Sequence, residues 1–490
     1  MRRTKIVCTI GPSTFSYNIL LKLAREGMDV ARLNFSHFPS GGYKEAREVI
    51  KNIRIISKKV GKPIAIIQDL QGPRIRTGDL KKEIKVQYGD EVFISCQGVK
   101  DNKDKVIPIT YPDLYKDVKK KDRILIDGGM VELEVVRVSN KTIKCKVITG
   151  NVIKGAKGIN VPTTSLSITS LTEKDKKDLE FGVKNDVDFV ALSFVRKAKD
   201  VKDVSYIVRR LEKKYQSKLS DKKFLRDRKG DLRYIKIISK IEKHEAIENF
   251  DEILTASDGI MVARGDLAVD IPQEEVPLVQ KEIIRKCLLA GKPVITATQM
   301  LGSMVTNPRP SRAELSDVAN AVLDRTDATM LSEETAIGDY PVKTVEVMDK
   351  VAREAELLQE PFSSKEICYH TPSAISKAAC KLAFELSASL ILAFTSTGFT
   401  AKTISRFRPR IPIIALTPYK KVYYQLSLSW GVMPYFFPFG DNLDDAIGEA
   451  GKFIKKKKLI TKKSKIIIVT GHPLRSLRLG DTNLIKVQEI

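Results

Sequence analysis

Cysteine is scarce in this chain. The six thiols (Cys8, Cys96, Cys145, Cys287, Cys368 and Cys380) are scattered over 490 residues with no C-x-x-C pair. That spacing argues against a disulfide framework and predicts reduced, structural cysteines. Histidine is scarcer still: His37, His244, His370 and His472 show no ligand spacing, which argues against a zinc site. No apolar run approaches the ~20 residues a membrane span needs. The opening MRRTKIVCTIGPS carries two arginines but runs straight into strand-like sequence, without the apolar stretch and cleavage site of a signal peptide. The expected location is the cytoplasm.

What is present is length and positive charge. A chain of 490 residues exceeds one core and predicts two to four domains. With 42% hydrophobic and 30% charged residues it is globular. The net charge of +25 raises nucleic-acid binding as a reading. The lysines are spread along the chain, however, and no aromatic-basic recognition motif accompanies them. A lysine-rich composition with an anionic substrate is the favoured reading. The runs at 455–458 and 462–465 read as a solvated helix end and linker.

Strand-like and helix-like segments alternate from the start: KIVCTIG, then NILLKLAREG; DVARLNFS, then KEAREVIKNIRIISKKVG; then IAIIQDL. Short β-rich runs followed by amphipathic periods are the pattern of βα units around a parallel sheet. From 73 to 159 the period changes to two, with turn signals and no convincing helix, as in EIKVQYGDEVFIS and RILIDGGMVELEVVRV. This predicts a small all-β capping domain inserted after the third strand. The alternation resumes at Thr172 and completes eight strand–helix units, the count of a closed (β/α)8 TIM barrel. A basic stretch, 216–233, reads as a surface insertion. After Pro361 a second alternating series predicts an open-sheet α/β domain. The expected division is 1–72 with 160–345 for the barrel, 73–159 for the lid and 361–490 for the C-terminal domain.

In such barrels chemistry gathers at the C-terminal ends of the strands. IKIISKIE carries Lys240 and Glu242 two residues apart, on one face of a strand. DGIMVARGDL reads as a second such strand, with Arg264 and Asp266 at the same spacing. The other strand ends offer Arg32, Asn34 and Ser36; Asp69, then Gln71, Arg74 and Arg76; Ser193; Thr296 and Thr298; Glu333 and Glu334. An amine beside two carboxylates suits a divalent cation and a phosphate. Any one strand end is also explained by an ordinary salt bridge. Seven polar strand ends of one barrel are expected to converge on a single cavity.

The stretches KIVCTIGPS, ARLNFSH, DLQGPRIRTG, IISKIEKHEAI, DGIMVARGDLAVDIP, ITATQML and AELSDVANAVLD, in this order, resemble the pyruvate kinase family over essentially the whole chain. The resemblance implies phosphoryl transfer from phosphoenolpyruvate to ADP, giving pyruvate and ATP. It implies that Glu242 and Asp266 bind magnesium (or manganese). Lys240 neutralises the moving phosphoryl group, as a loose transition state demands. It further implies that Arg32 meets the phosphate and that Thr298 lies at the enolate face. Backbone at Gly265 and Asp266 meets the substrate carboxylate, with Ser193 also at the substrate. Asn34, His37, Arg76 and Lys157 match nucleotide-contacting positions. Asn34, Ser36, Asp69 and the Leu70 carbonyl match a potassium site. Thr395, Ser396, Thr397 and Thr400 match the loop for a phosphorylated effector, and the assembly implied is a homotetramer.

Departures from the family pattern are informative. Potassium-requiring members have Thr-Lys after the aspartate and Glu at the position of Arg74; here Leu70, Gln71 and Arg74 stand instead. A permanently charged guanidinium can supply the charge of a monovalent cation, so activity without potassium is expected. Glu333, Gly302 and Ala268 replace a usual Gly, Glu and Gly, and TSTGFT alters the effector loop's usual Ser-Gly-Arg-Ser. Two other readings stay open from residues alone: a magnesium-dependent barrel acting on an enolate, such as a pyruvate-type aldolase, and a non-catalytic nucleic-acid-binding protein.

Overall fold

The computed structural model describes residues 2–490 except 37, 39–42, 81, 98–104, 163, 223, 225–233, 364–369, 461–462, 473 and 475–480. Eight parallel strands close into a barrel: Lys5–Ile10, Val30–Asn34, Ala65–Asp69, Phe189–Leu192, Lys236–Ile241, Gly259–Ala263, Val294–Ala297 and Ala328–Leu331. The first pairs with both the second and the eighth, which completes the ring. Their fully buried β-branched and aliphatic runs are what a parallel sheet covered by helices requires. The interior is filled by Val7, Ile67, Ile238, Met261, Ile295 and Met330, among others. The eight alternating units expected from the residue pattern are thus realised as a TIM barrel.

The β-rich insertion forms a seven-stranded sheet and a two-stranded ribbon around its own core, which includes Val92, Ile124, Leu133 and Cys145. One short helix, Leu114–Asp117, interrupts the expected all-β pattern. A single turn is too brief to leave a helical period in sequence. The C-terminal unit is a five-stranded open sheet, Val432–Phe436, Ile413–Thr417, Leu390–Phe394, Lys465–Gly471 and Thr482–Glu489 in spatial order, with only the last strand antiparallel.

The foot of the barrel shows a fourfold device. Asp29, Asp188, Asp258 and Asp327 each directly precede an even-numbered strand. Their carboxylates accept from the amides of Ile6, Ile66, Ile237 and Val294 at 3.0, 2.8, 2.9 and 3.1 Å, all on odd-numbered strands. Buried amides at a sheet end need such acceptors. Two of these aspartates also hold the C-terminal unit: Lys421 Nζ lies 3.3 Å from Asp188, and the Trp430 amide donates to Asp327 at 3.1 Å. Leu428, from the C-terminal unit, packs into the cluster that fills the barrel interior.

The basic stretch 216–233 keeps Gln216, Ser217, Lys218, Ser220 and Lys222 exposed, as expected of a surface insertion, but it is anchored inward. Leu219, Asp221 and Phe224 are buried. Phe224 meets Tyr419 edge-on at 5.4 Å, and the Lys421 amide donates to Asp221 at 3.2 Å. The apolar anchors were hidden among lysines, and their partners lie far along the chain. Residues 225–233 of this stretch are outside the described residues. The five described cysteines are free, as expected; Cys368 lies outside the described set. Among the described residues no helix is long and apolar enough to cross a membrane.

Candidate active site

Lys240 lies near the end of the fifth strand and Glu242 just beyond it, so strand alternation sends both side chains to the same side. Lys240 Nζ is 2.8 Å from Glu242 Oε1 and 3.5 Å from Asp69 Oδ1. It donates to Ser193 Oγ at 2.8 Å, and that hydroxyl donates to the Leu70 carbonyl at 2.7 Å. Arg32 completes the cluster: Nε donates to Asp69 Oδ2 at 2.7 Å and Nη1 to Thr9 Oγ1 at 2.9 Å. Thr9, which sequence reasoning missed, is the register neighbour of Arg32 on the first strand. Inward alternation along KIVCTIG was the signal for it.

All these groups are buried, so their charges act in a medium of low dielectric. Burial works against the Lys240 ammonium, but Asp69 and Glu242 outweigh it and hold the pKa above the ordinary lysine value. Asp69 is the converse: burial opposes its charge, while Lys240 and Arg32 together bring its pKa below the usual range. Glu242 is pushed up, by burial first and by repulsion from Asp266, against the pull of Lys240. Its Oε2 accepts from the Phe194 amide at 2.6 Å. Oε1 of Glu242 and Oδ1 of Asp69 are buried, with the Lys240 ammonium as their ion-pair partner.

The expectation of a second strand carrying Arg264 and Asp266 on one face is corrected. The sixth strand ends at Ala263, and Arg264–Asp270 is helical. Two residues along a helix turn ~200°, so the side chains part. Arg264 grips Asp317 at 2.8 and 2.7 Å and the Thr298 carbonyl at 2.7 Å, while Asp266 faces the cleft beside the barrel mouth. Glu333 and Glu334 likewise begin a helix, Glu333–Ala336, rather than ending the eighth strand. Glu334 is spent on the amides of Ser332 and Leu301. Thr296 bonds Thr326 at 3.0 Å inside the wall. Convergence therefore holds for part of the strand-end set and fails for these residues.

Thr298 sits beyond the seventh strand with φ +66°, followed by Gln299 at +54°. Left-handed backbone at a β-branched residue is strained by ~1–3 kcal/mol, and such strain gathers at functional sites. The Thr298 hydroxyl accepts from the Gly265 amide at 2.8 Å and donates to the Ala297 carbonyl at 2.6 Å. Gly72, at φ +68°, brings the loop after the third strand against the fourth; a Cβ there would stand 2.9 Å from the Phe194 ring.

Between the barrel mouth and the β unit lies an open cleft lined by Arg74, Arg76, Phe194, Arg196, Lys243 and Asp266, among others. Arg76 donates to the Ala156 carbonyl at 2.9 Å, and Lys157 pairs with Asp127 at 3.0 Å, outside the cleft lining. Arg74 is exposed, with its guanidinium 6.0 Å from the Phe194 ring centre. Asn34 stands opposite Asp69 in register, and its Oδ1 accepts from the Ser36 amide at 3.1 Å. His37 lies outside the described residues.

In the C-terminal unit Thr395, Ser396, Thr397 and Thr400 are buried around one small cavity. Thr395 and Thr397 accept from the amides of Gly398 and Phe399 at 2.9 and 3.3 Å, and Thr400 bonds Thr482 at 2.8 Å.

Comparison with known proteins agrees with this geometry. Residues 1–345 match the family described as "Pyruvate kinase, barrel domain", and residues 373–488 match "Pyruvate kinase, alpha/beta domain". A pyruvate kinase of Clostridium perfringens is 42% identical, with all of both chains covered. One from Geobacillus stearothermophilus is 42% identical over all of this chain and 80% of its own. Among solved structures, a pyruvate kinase from Cryptosporidium parvum superposes with a TM-score of 0.89 at 36% identity, covering 100% of this chain and 96% of that one. With both family regions matched and the ammonium–carboxylate cluster at the barrel mouth, the chain belongs to the pyruvate kinase family.

Proposed function

We propose that the Lys240 cluster performs the family's reaction in this chain, phosphoryl transfer from phosphoenolpyruvate to ADP with release of pyruvate and ATP. The observation that carries the assignment is the Lys240 ammonium, buried between Asp69, Glu242 and Ser193. Asp69 and Glu242 keep it charged and Ser193 fixes its direction. A preoriented cation in a dry site stabilises negative charge spreading over a phosphoryl group more strongly than water can. Arg32 binds the substrate phosphate, a role supported by the bonds to Asp69 and Thr9 that hold its guanidinium in the cluster.

The family generally requires a divalent metal. The residues present fit one: the carboxylates of Glu242 and Asp266 stand close enough that their repulsion raises the Glu242 pKa, an excess of negative charge that a divalent cation relieves. Glu242 and Asp266 would hold magnesium, which supplies charge neutralisation between substrate carboxylate and phosphate. The Asp266 amide receives the substrate carboxylate beside Gly265, whose own amide is held by Thr298, and the Thr298 hydroxyl relays a solvent proton that turns enolpyruvate into pyruvate. Arg76, Asn34, His37 and Lys157 contact the nucleotide. The β unit, 73–159, closes over the cleft and keeps water from the phosphoryl group.

The same reading assigns Arg74 the charge of the monovalent cation that other members bind near Asn34, Ser36, Asp69 and Leu70. It assigns residues 395–400 to a phosphorylated effector, a homotetrameric assembly to the protein, and the cytoplasm as its place in glycolysis. A lactate-dehydrogenase-coupled assay with phosphoenolpyruvate, ADP and magnesium tests the activity. The wild type turns over, and Lys240→Met loses roughly three or more orders of magnitude in kcat with an unchanged circular dichroism spectrum. A variant within tenfold of wild type removes Lys240 from the mechanism.

A further inference from the structure

The chain returns from the β unit to the barrel along a strap, residues 164–168, that is gripped from both sides. Leu166 and Ile168 pack against the core of the β unit and line the cleft. Their carbonyls are held from the barrel: the Arg196 guanidinium donates to that of Leu166, and at 2.8 Å to that of Ile168. Ser167, between them, is held from the β unit, where its amide and hydroxyl donate to Asp117 at 3.0 and 2.7 Å. Tyr111 donates to the same carboxylate at 2.7 Å and ties it into the β unit. In extended chain, carbonyls two residues apart face one way and the amide between them faces the other. One strap can therefore be bound by two units at once, and a planar guanidinium fork suits its paired carbonyls.

Arg196 has a firm base. It belongs to the loop between the fourth barrel strand and the helix Ala198–Lys214. Its amide donates to Asp200 at 3.0 Å, its Nε stands 4.0 Å from the same carboxylate, and its carbonyl accepts from Asn249 at 2.9 Å. The same loop holds Ser193, which accepts from Lys240, and Phe194, whose amide donates to Glu242. Phe194 has φ +54°, a conformation that persists at an aromatic residue only where its surroundings impose it. The loop that grips the strap is thus the loop that touches the ammonium and a carboxylate of the catalytic cluster.

We propose that Arg196 is a positioning residue for the phosphoryl transfer assigned above, on which this inference rests. Through the strap it sets the register of the β unit over the cleft, so that a nucleotide beneath that unit meets the phosphoryl group held at Lys240. Asp117 completes the clamp from the other side. Lid placement depends on a few residues at such crossings, and a misplacement of ~1 Å between reacting groups costs on the order of 100-fold in rate.

The test compares Arg196→Met with Asp117→Ala in the full chain. Asp117 is outside the cleft lining, so it acts on the reaction through the strap. Both variants should lower kcat at least ~10-fold. Both should raise KM for ADP at least ~5-fold, while KM for phosphoenolpyruvate, bound by the barrel, stays within about twofold. Arg196→Lys, which keeps the charge but loses the fork, should fall between. Asp117→Asn serves if the alanine variant folds poorly. Hydrogen exchange read by mass spectrometry follows the clamp without turnover. Arg196→Met should speed exchange in peptides over 164–171 about tenfold, although the Ser167 amide is bonded to Asp117 and not to Arg196. Wild-type kinetics in the Asp117 variants beside an impaired Arg196→Met would make Arg196 a direct nucleotide contact and overturn the proposal. Unchanged exchange in Arg196→Met, or equal rises in both Michaelis constants, would overturn it too. A wild type without turnover whose strap still responds in exchange removes the reaction assignment and keeps the clamp.

Discussion

Lys240 and Asp69 belong to strands that do not touch, yet their charged ends lie 3.5 Å apart. The fourth strand runs between them and contributes Ser193 to the same cluster. Asp69 thus serves two cations at once, Arg32 on one oxygen and Lys240 on the other. It is the counter-ion that lets two positive groups stand together at the barrel mouth.

Replacing Asp69 by Asn keeps the shape but removes that counter-charge. Both Arg32 and Lys240 lose an ionic anchor, and displacements of ~1 Å in such groups cost on the order of 100-fold in rate. We expect Asp69→Asn to lower kcat by about that factor and to raise KM for phosphoenolpyruvate. Steady-state kinetics at saturating ADP and metal checks this; unchanged values of both constants would show that the cations are positioned by other groups.

Glu242 should make metal binding pH-dependent. Its pKa lies above the usual carboxylate value, through burial and the nearby Asp266. A proton and a metal compete for the carboxylate, so binding is full above that raised pKa and weakens as pH falls through it. Below it, each further pH unit should weaken Mn2+ affinity about tenfold. Electron paramagnetic titration of Mn2+ between pH 5 and 8 reads this directly, with Glu242→Gln expected to bind weakly and without the pH slope.

Arg74 should free the enzyme from potassium. With potassium replaced by tetramethylammonium at equal ionic strength, the wild type is expected to keep its activity. Arg74→Glu should lose at least ~10-fold without potassium and regain it with potassium, because the variant exchanges a fixed cation for an anion that needs one. A wild type silent without potassium would return that role to a bound ion.

Phe224 should matter for stability and not for chemistry. It is 1% exposed and fills the space between Tyr234 and Tyr419. Truncation of a buried aromatic costs ~3–5 kcal/mol, so Phe224→Ala should lower the urea midpoint markedly while kcat at 25 °C stays within a factor of about two. Equal midpoints would mean that the segment contributes little to the junction.

Much of the fold and part of the site are legible in the residues alone. The two-residue spacing of Lys240 and Glu242 means one face because the strand persists to Ile241. The same spacing misleads at Arg264 and Asp266, since periodicity cannot tell that the chain turns helical after Ala263. The aspartates at the barrel foot are readable, in MDVARL, VDFVAL, SDGIMV and TDATML, as an acid placed before each even strand. Phe224 is not readable: one aromatic among lysines gains its meaning only from Tyr419 in another unit. Nor can spacing show that Thr298 depends on Arg264 and Asp317, three residues brought together by the ends of different elements.

Leu428 has a consequence for how the catalytic ring could be isolated. A side chain borrowed from the short helix Leu426–Leu428 of the C-terminal unit joins the hydrophobic cluster that fills the eight-stranded core. A fragment ending at residue 345 would remove one member of the cluster that fills the barrel. Cutting the chain between its two large units would therefore take a member from the packing around the strand that carries Lys240.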